Sequence, residues 1–420
     1  MSYIRKIEKN ISEILRKYPN LRNTIKLYYQ KFNYYLNNPD NNKYHSDYKI
    51  QSLIEDENFF GYYDKSPWDI NNEKILTLKV PFSHKHPSNG EEAIIGYIDK
   101  QSSFNKITTT KTWNLQQGCM VQWLGPDFKD KIIYNDIHKQ KYVSKIYNFK
   151  NKDIDILDFP IYSINREGTY ALSLNFSRLN RLRKGYGYNN LKDMTKGIKY
   201  PDDDGIYLVD IENNNTKLII SFKDIYEFEN KKIMENSEHR FNHVDFNPSA
   251  NRFSFIHRWT SNNETHSRLL TADINGEDIF CLSDNKMVSH TCWKNDKQLL
   301  AWAKNEKNND HYLLFDDRTD SKEIIGKNLL TEDGHPSFSP DKRYILTDTY
   351  PDRNRFRKLI IYDTKTKENY ILAKFFASFK YINENRCDLH PRWSRDGKYI
   401  SFDSVHEEKR KQYIMKNPLN

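Results

Sequence analysis

An all-β fold, closed as a seven-bladed β-propeller behind an N-terminal helical extension, is the class that three observations predict. The first is a repeated unit in which a histidine precedes an aromatic by three residues: Asn242-His243-Val-Asp-Phe246, Ser289-His290-Thr-Cys-Trp293, Gly334-His335-Pro-Ser-Phe338 and Leu389-His390-Pro-Arg-Trp393. A polar turn and a short β-prone run, such as Tyr344-Ile-Leu-Thr or Tyr399-Ile-Ser-Phe, follow the two best copies. Strand, turn and strand at a fixed period is the signature of a propeller, whose blades each offer the same position to a central channel. The second is composition: 14% of residues are aromatic while only 37% are apolar, which suits many short strands better than a large helical core. The third is the count of repeats.

The elements follow in chain order. Ile4, Ile7, Ile11, Ile14 and Leu15 keep helical spacing, and Leu21, Ile25, Tyr28, Phe32 and Leu36 keep it again after Pro19, so residues 1–38 read as an amphipathic helical extension. Arg5, Lys6, Lys9, Arg16 and Lys17 lie on its other faces. Such a helix can rest on an anionic membrane surface, or pack on the propeller or a partner subunit through a stripe that Tyr29, Tyr34 and Tyr35 widen. Asn37 to Asp47 is an Asn-rich linker, and residues 48–420 form the propeller.

Aligning the aromatic and turn positions places seven repeat starts near Lys65, Met120, Ile161, His243, His290, His335 and His390. The 82-residue gap between Ile161 and His243, against 47 for the next, predicts one blade with a long insertion around 176–204. About thirty residues follow His390, which leaves the last blade one strand short. Tyr48-Lys-Ile-Gln-Ser-Leu-Ile54 is the strand expected to close the ring.

A net charge of +9, from 66 Lys and Arg against 57 Asp and Glu, favours anionic partners, although lysines dispersed over turns also describe an ordinary solvated surface. Cys119, Cys281, Cys292 and Cys387 form no C-x-x-C pair, so no disulfide framework or structural zinc is indicated. With no leader-like apolar stretch at the start and no membrane-length apolar run, a cytoplasmic address is expected, with membrane association through the extension as the added option. Dinucleotide, P-loop, zincin, nucleophile-elbow and kinase signatures do not occur. Aromatics and arginines do not cluster into a nucleic-acid module, so nucleic acid is not the favoured partner.

The chemistry-bearing candidates group around the repeat. Histidine suits proton transfer near neutrality, and arginine's planar fork suits a carboxylate. His243 and His290 with Arg240 and Arg258 are the catalytic candidates, and His335 and His390 are the metal candidates, with Asp388 or an ordered water to complete the shell. Arg392, Gln117, Gln122, Trp123, Arg178 and Arg181 are the substrate-binding candidates, because amides, aromatic faces and guanidinium groups suit an acidic sugar. Against each stands a plainer role in holding blades together. His84-Lys-His86 is a peripheral two-ligand clip of the kind usually incidental in loops.

The stretches Gly334-His-Pro-Ser-Phe-Ser-Pro-Asp341 and Asp388-Leu-His-Pro-Arg-Trp-Ser-Arg-Asp396 resemble the blade repeats of TolB-type propellers, and the histidines bring the chain closer to the oligogalacturonate lyase branch. That resemblance runs from about Lys65 to the C-terminus. It implies a seven-bladed ring holding a divalent metal, manganese, through channel histidines and a glutamine, with a further histidine and an arginine acting on the uronate. The family stretch Gln-x-x-His-x-His reads here Cys387-Asp-Leu-His390-Pro-Arg392, which keeps one ligand position and changes two. The expected activity is β-elimination on an anionic, uronate-containing glycan or sugar precursor. The alternatives are a glycosyl or related transferase of surface-polysaccharide synthesis and a noncatalytic glycan-binding propeller.

Overall fold

The computed structural model describes residues 19–38, 41–88 and 90–419. The first apolar set of the extension, Ile4 to Leu15, lies outside the described residues. Helix α1 (Pro19–Asn37) carries the second. Seven antiparallel sheets then follow in chain order, each running from an inner to an outer strand. Blade 1 spans Asn58–Phe59 to Phe104–Thr110, blade 2 Gln122–Trp123 to Ile154–Leu157, blade 3 Ser163–Ile164 to Asn215–Ser221 and blade 4 His239–Phe246 to Phe280–Ser283. Blade 5 spans Val288–Trp293 to Lys322–Ile325, blade 6 Ser337–Phe338 to Glu368–Phe376, and blade 7 begins at Arg392–Trp393.

The outer strand of blade 7 is Ile50–Ser52, paired antiparallel to Lys411–Lys416 with Gln51 opposite Ile414, so the seam has no unpaired interior strand. Tyr44–His45 adds a fifth strand to blade 6. The long gap is one blade with an insertion: α2 (Phe176–Leu182) and its following loop separate the second and third strands of blade 3, while α3 (Phe222–Glu227) leads toward blade 4. Apolar layers between neighbouring blades form the core, as where Leu346, Leu359 and Phe375 of blade 6 meet Leu389, Ile400 and Phe402 of blade 7.

Helix α1 docks on blade 6 with the face opposite to the one its pattern predicts. Tyr34 is buried and stacks on Phe376 at 4.3 Å, and Gln30 donates to the Asp352 carbonyl at 3.1 Å. Leu21, Ile25, Tyr28, Phe32 and Leu36 point to solvent. An amphipathic pattern identifies the helix but not which side the fold covers.

Two buried rings away from the channel make the fold acid-sensitive. Burial lowers His239 and His406 to about 4. His239 shares a 2.7 Å hydrogen bond with His257, and His406 sits among Tyr44, Phe375 and Tyr413. Below the unfolded value of about 6.5, the unfolded chain takes up protons that the folded rings refuse. Stability therefore falls as pH drops from about 6.5 toward 4, by roughly 3 kcal/mol per ring at the acid end. Melting temperature against pH should decline across this window, and His406→Asn should flatten the decline.

Candidate functional site in the central channel

Two channel histidines are delivered by a break in the inner strand, and the other two, His335 and His390, lie two residues before theirs. The register shifts between Asn242 and Asp245 in blade 4 and between Val288 and Thr291 in blade 5, bulging His243 and His290 out of the ladder. His243 and His390 have positive φ, 54° and 43°, as does Met120 at the matching place in blade 2 with 57°. This left-handed backbone is unfavourable for side chains other than glycine and is held by the surrounding fold. At these three positions it helps to turn the side chain inward.

The four imidazoles form one arc across blades 4 to 7. Ring centroids are 5.5 Å apart for His243 and His290, 4.1 Å for His290 and His335, and 4.4 Å for His335 and His390. Blades 1 to 3 present Lys65, Met120 and Ile161 instead, so the other half of the ring is largely apolar and aromatic. Tyr62 and Tyr63 occupy the middle, with Tyr62 4.9 Å from the His390 ring and 5.4 Å from that of His243. Gly61 makes the turn that delivers them: its φ is 128°, and a Cβ there would lie 2.7 Å from the Gln117 carbonyl oxygen.

Hydrogen bonds fix which nitrogen of each ring is free. The Tyr162 hydroxyl donates to Asn242 Oδ1 at 2.8 Å, so the Asn242 amide N–H faces His243 Nε2 at 3.3 Å. His243 Nδ1 then carries the proton and donates to the Tyr62 oxygen at 3.1 Å, leaving the Tyr62 hydroxyl hydrogen available. Burial holds Tyr62 well above the usual phenol range, so it stays protonated. His290 Nδ1 faces Asp333 at 3.1 Å, which leaves its Nε2 as a lone-pair acceptor with no hydrogen bond among the described residues. Burial lowers the pKa of both His243 and His290, so both are neutral at neutral pH.

His335 and His390 share a different environment. His335 Nδ1 donates to Asp348 at 2.8 Å and His390 Nδ1 to the Gly61 carbonyl at 2.9 Å. Asp348 also accepts from the backbone N–H groups of Leu389 and His390, tying blades 6 and 7 together at this point. Both Nε2 atoms are buried acceptors without a partner among the described residues. With Asp388, these two rings offer ligand atoms all within 4.8 Å of one another. Asp388 Oδ1 lies 2.8 Å from the Arg357 guanidinium yet makes no hydrogen bond, so a lone pair remains. Two imidazoles held through Nδ1, with free Nε2 lone pairs beside a carboxylate, fit a divalent cation and its usual second shell. Cys387 does not join them as a thiolate, because burial pushes it up to about 12.

Arg240 and Arg258 face each other across neighbouring strands of blade 4. Arg240 is buried, with no acidic partner among the described residues, and burial together with the charges of Arg258 and Arg183 pulls it down to about 9. Arg258 donates to the Val288 carbonyl at 3.1 Å, and its charge reaches His243 and His290. Two guanidinium groups drawn together without a counter-charge make a place for an anion. Tyr186 of the blade 3 insertion stands edge-on to the Tyr62 ring at 6.3 Å, and its hydroxyl accepts from Arg386 at 3.1 Å.

The remaining candidates are engaged within the protein. Arg178 is buried and donates to the carbonyls of His239, Ile198 and Lys199, and Arg181 pairs with Asp193 and Glu238 at 2.6 Å, so both pin the insertion. Trp123 donates to the Pro67 carbonyl and stacks on Phe149 at the junction of blades 1 and 2. Gln117 binds the Tyr162 hydroxyl and the Gly187 N–H behind the aromatic half of the channel, and Gln122 folds onto the Met120 carbonyl. His84 is exposed beside Phe82, apart from the channel. Arg392 is committed to Asp403 at 2.7 Å and to the Gly61 and Tyr62 carbonyls, which closes blade 7 onto blade 1. Arg392→Ala therefore strands a buried carboxylate, and a loss of about 3–5 kcal/mol in denaturant unfolding is expected.

Tyr62, Asp333 and Asp348 escaped sequence reasoning, whereas Asp388 was expected as a shell ligand and lies with His335 and His390. Tyr62 stands three residues before the Lys65 repeat position and could have been found by asking what precedes it. Asp333 lies in the connection before blade 6 and Asp348 in its second strand, where only three-dimensional pairing identifies them.

No family model matches the chain, and no curated protein does. Solved structures do match over most of its length. The oligogalacturonate lyase of Vibrio parahaemolyticus gives a TM-score of 0.63 at 13% identity, covering 89% of this chain and 96% of that one. An oligogalacturonate lyase in complex with manganese gives 0.66 at 13% identity, covering 89% and 94%. A chain of the mitotic checkpoint complex gives 0.52 at 10% identity, covering 89% and 93%. At these identities the likeness is one of fold, and fold does not carry activity with it. The chain is a seven-bladed β-propeller similar in architecture to oligogalacturonate lyases.

Proposed function

We propose that the channel binds the carboxylate of a uronate in an anionic glycan and breaks the adjoining glycosidic bond by β-elimination. The observation that carries this reading is the Arg240–Arg258 pair, Arg240 buried and Arg258 partly so, which has no acidic partner among the described residues and whose Arg258 charge reaches neutral His243 and His290. The similarity in fold to proteins named oligogalacturonate lyase agrees with it.

The reaction needs a group to take the C5 proton, cationic donors for the carboxylate as charge develops, and a proton for the departing C4 oxygen. Arg240 and Arg258 clamp the carboxylate through charge-assisted hydrogen bonds. His290 accepts the C5 proton at Nε2 while Asp333 holds its Nδ1 side, an arrangement that orients the ring and supports its positive charge. The C5–H electrons form the C4=C5 double bond as the C4–O bond breaks. Tyr62, backed by His243, supplies the proton to the leaving oxygen.

His335, His390 and Asp388 would hold a divalent ion such as manganese. Bound there, it would add positive charge to polarise substrate oxygens. The changed positions Cys387 and Arg392 favour a second reading, a propeller that binds the glycan without turning it over.

The test is absorbance of an unsaturated uronate on a panel of uronate-containing oligosaccharides, with and without manganese. Turnover lost by at least about 100-fold in His290→Ala, and reduced in Tyr62→Phe, is expected. Glycan binding without product in the parent protein would leave the binding reading.

A further inference from the structure

We infer that α1 is a docking helix for a membrane surface bearing anionic phospholipid, presented on the face of the ring where the channel histidines enter. The inference stands apart from the catalytic reading and rests on three features of the helix. Its outward stripe is apolar, its inward face is the polar one, and its end of the chain holds most of the net charge.

Tyr28, Phe32, Tyr35 and Leu36 are 65–70% exposed, and Leu21 and Ile25 continue the stripe along the same side. Gln30, Asn33 and Tyr34 face the propeller instead. A helix needing only to pack on this fold would turn its apolar side inward. An exposed stripe of this length marks an interaction surface.

Charge identifies the partner. Residues 1–37 contain eight Lys and Arg and two Glu, so six of the nine net positive charges of the chain lie in its first 37 residues. Helix α1 itself has no acidic residue. Lys31 lies 5.7 Å from the Phe379 ring, alongside the stripe. Next to it a cavity of about 460 Å³ is lined by Tyr34, Tyr35, Lys43, Phe376, Phe379 and Lys380, with Glu408 pairing Lys43 at 3.7 Å. Apolar and tyrosine side chains flanked by lysine match a bilayer interface with anionic headgroups, whereas a second copy of this helix would meet it with like charge.

The helix also has a defined place relative to the channel. Its contacts Asp352 and Asn354 lie between the second and third strands of blade 6, and Phe379 lies in the connection that ends at His390. Those two connections fall at one end of the antiparallel blade. A bilayer held by α1 would therefore face the end of the ring at which His390 enters the channel. No helix among the described residues is long and apolar enough to cross a membrane, so the contact is interfacial.

The experiment is flotation of the full chain with vesicles of phosphatidylcholine alone and of phosphatidylcholine with phosphatidylglycerol, at low and high salt. Binding confined to the anionic vesicles, reduced by salt, and weakened about tenfold or more by Ile25→Glu or Phe32→Glu at unchanged melting temperature is the expected result. Equal binding to both vesicle types, no binding, or variants that bind as the parent does would overturn it. A dimer on gel filtration that Phe32→Glu splits, without vesicle binding, would assign the stripe to a second copy.

Discussion

Arg240→Met should raise the melting temperature while lowering affinity for a uronate. The guanidinium is buried, has no acidic partner among the described residues, and is repelled by Arg258 and Arg183. An apolar side chain of similar length removes that cost, a gain of about 1–2 kcal/mol and roughly 2 °C or more. The same change removes half of the carboxylate clamp, so affinity should fall about 100-fold, or nearly 3 kcal/mol. The opposite signs separate this arginine from the structural ones. Arg178, whose donors are spent on buried carbonyls, should lose stability on the same substitution, because those carbonyls would be left unsatisfied. Thermal melts with calorimetric titration of an oligouronate read both effects.

His335→Ala and His390→Ala should each abolish manganese retention and reduce turnover by two or more orders of magnitude. Each ring contributes an Nε2 atom that has no partner among the described residues, and a single imidazole beside Asp388 makes a poor site. Stability should change little by comparison with Arg392→Ala, since neither ring is an ion-pair partner of a group that lacks another contact. Metal content after dialysis measures the first effect independently of activity. Retention of metal in both variants would remove the assignment even if turnover fell.

What the sequence revealed and what it withheld have different physical origins. Blade repeats are local: His335 followed by Phe338 and a turn specifies the entry to one strand pair, and equivalent positions converge because the ring repeats. That made the seven blades, the closing strand near Ile50 and the histidine arc legible. Arginine roles were not legible in the same way. Arg178, Arg181 and Arg392 looked like substrate ligands by residue type, yet each meets carbonyls or carboxylates from distant parts of the chain. Arg240 and Arg258 differ from them only in what is missing around them, and the absence of a counter-charge is a property of packing. Helix α1 makes the same point in reverse. Its period is local and legible, but the side it turns to the propeller depends on Phe376 and Asp352, more than three hundred residues away.

The central claim is that the channel is built around an acidic sugar. Calorimetric titration with digalacturonate and with the neutral digalactoside of the same linkage, in the presence of manganese and with His290→Ala to prevent turnover, tests it most directly. Binding of the acid at least about 100-fold tighter than the neutral sugar, and lost with the further change Arg240→Met, is the predicted result. Equal affinity for the two sugars, or acid binding that survives the loss of Arg240, would contradict it.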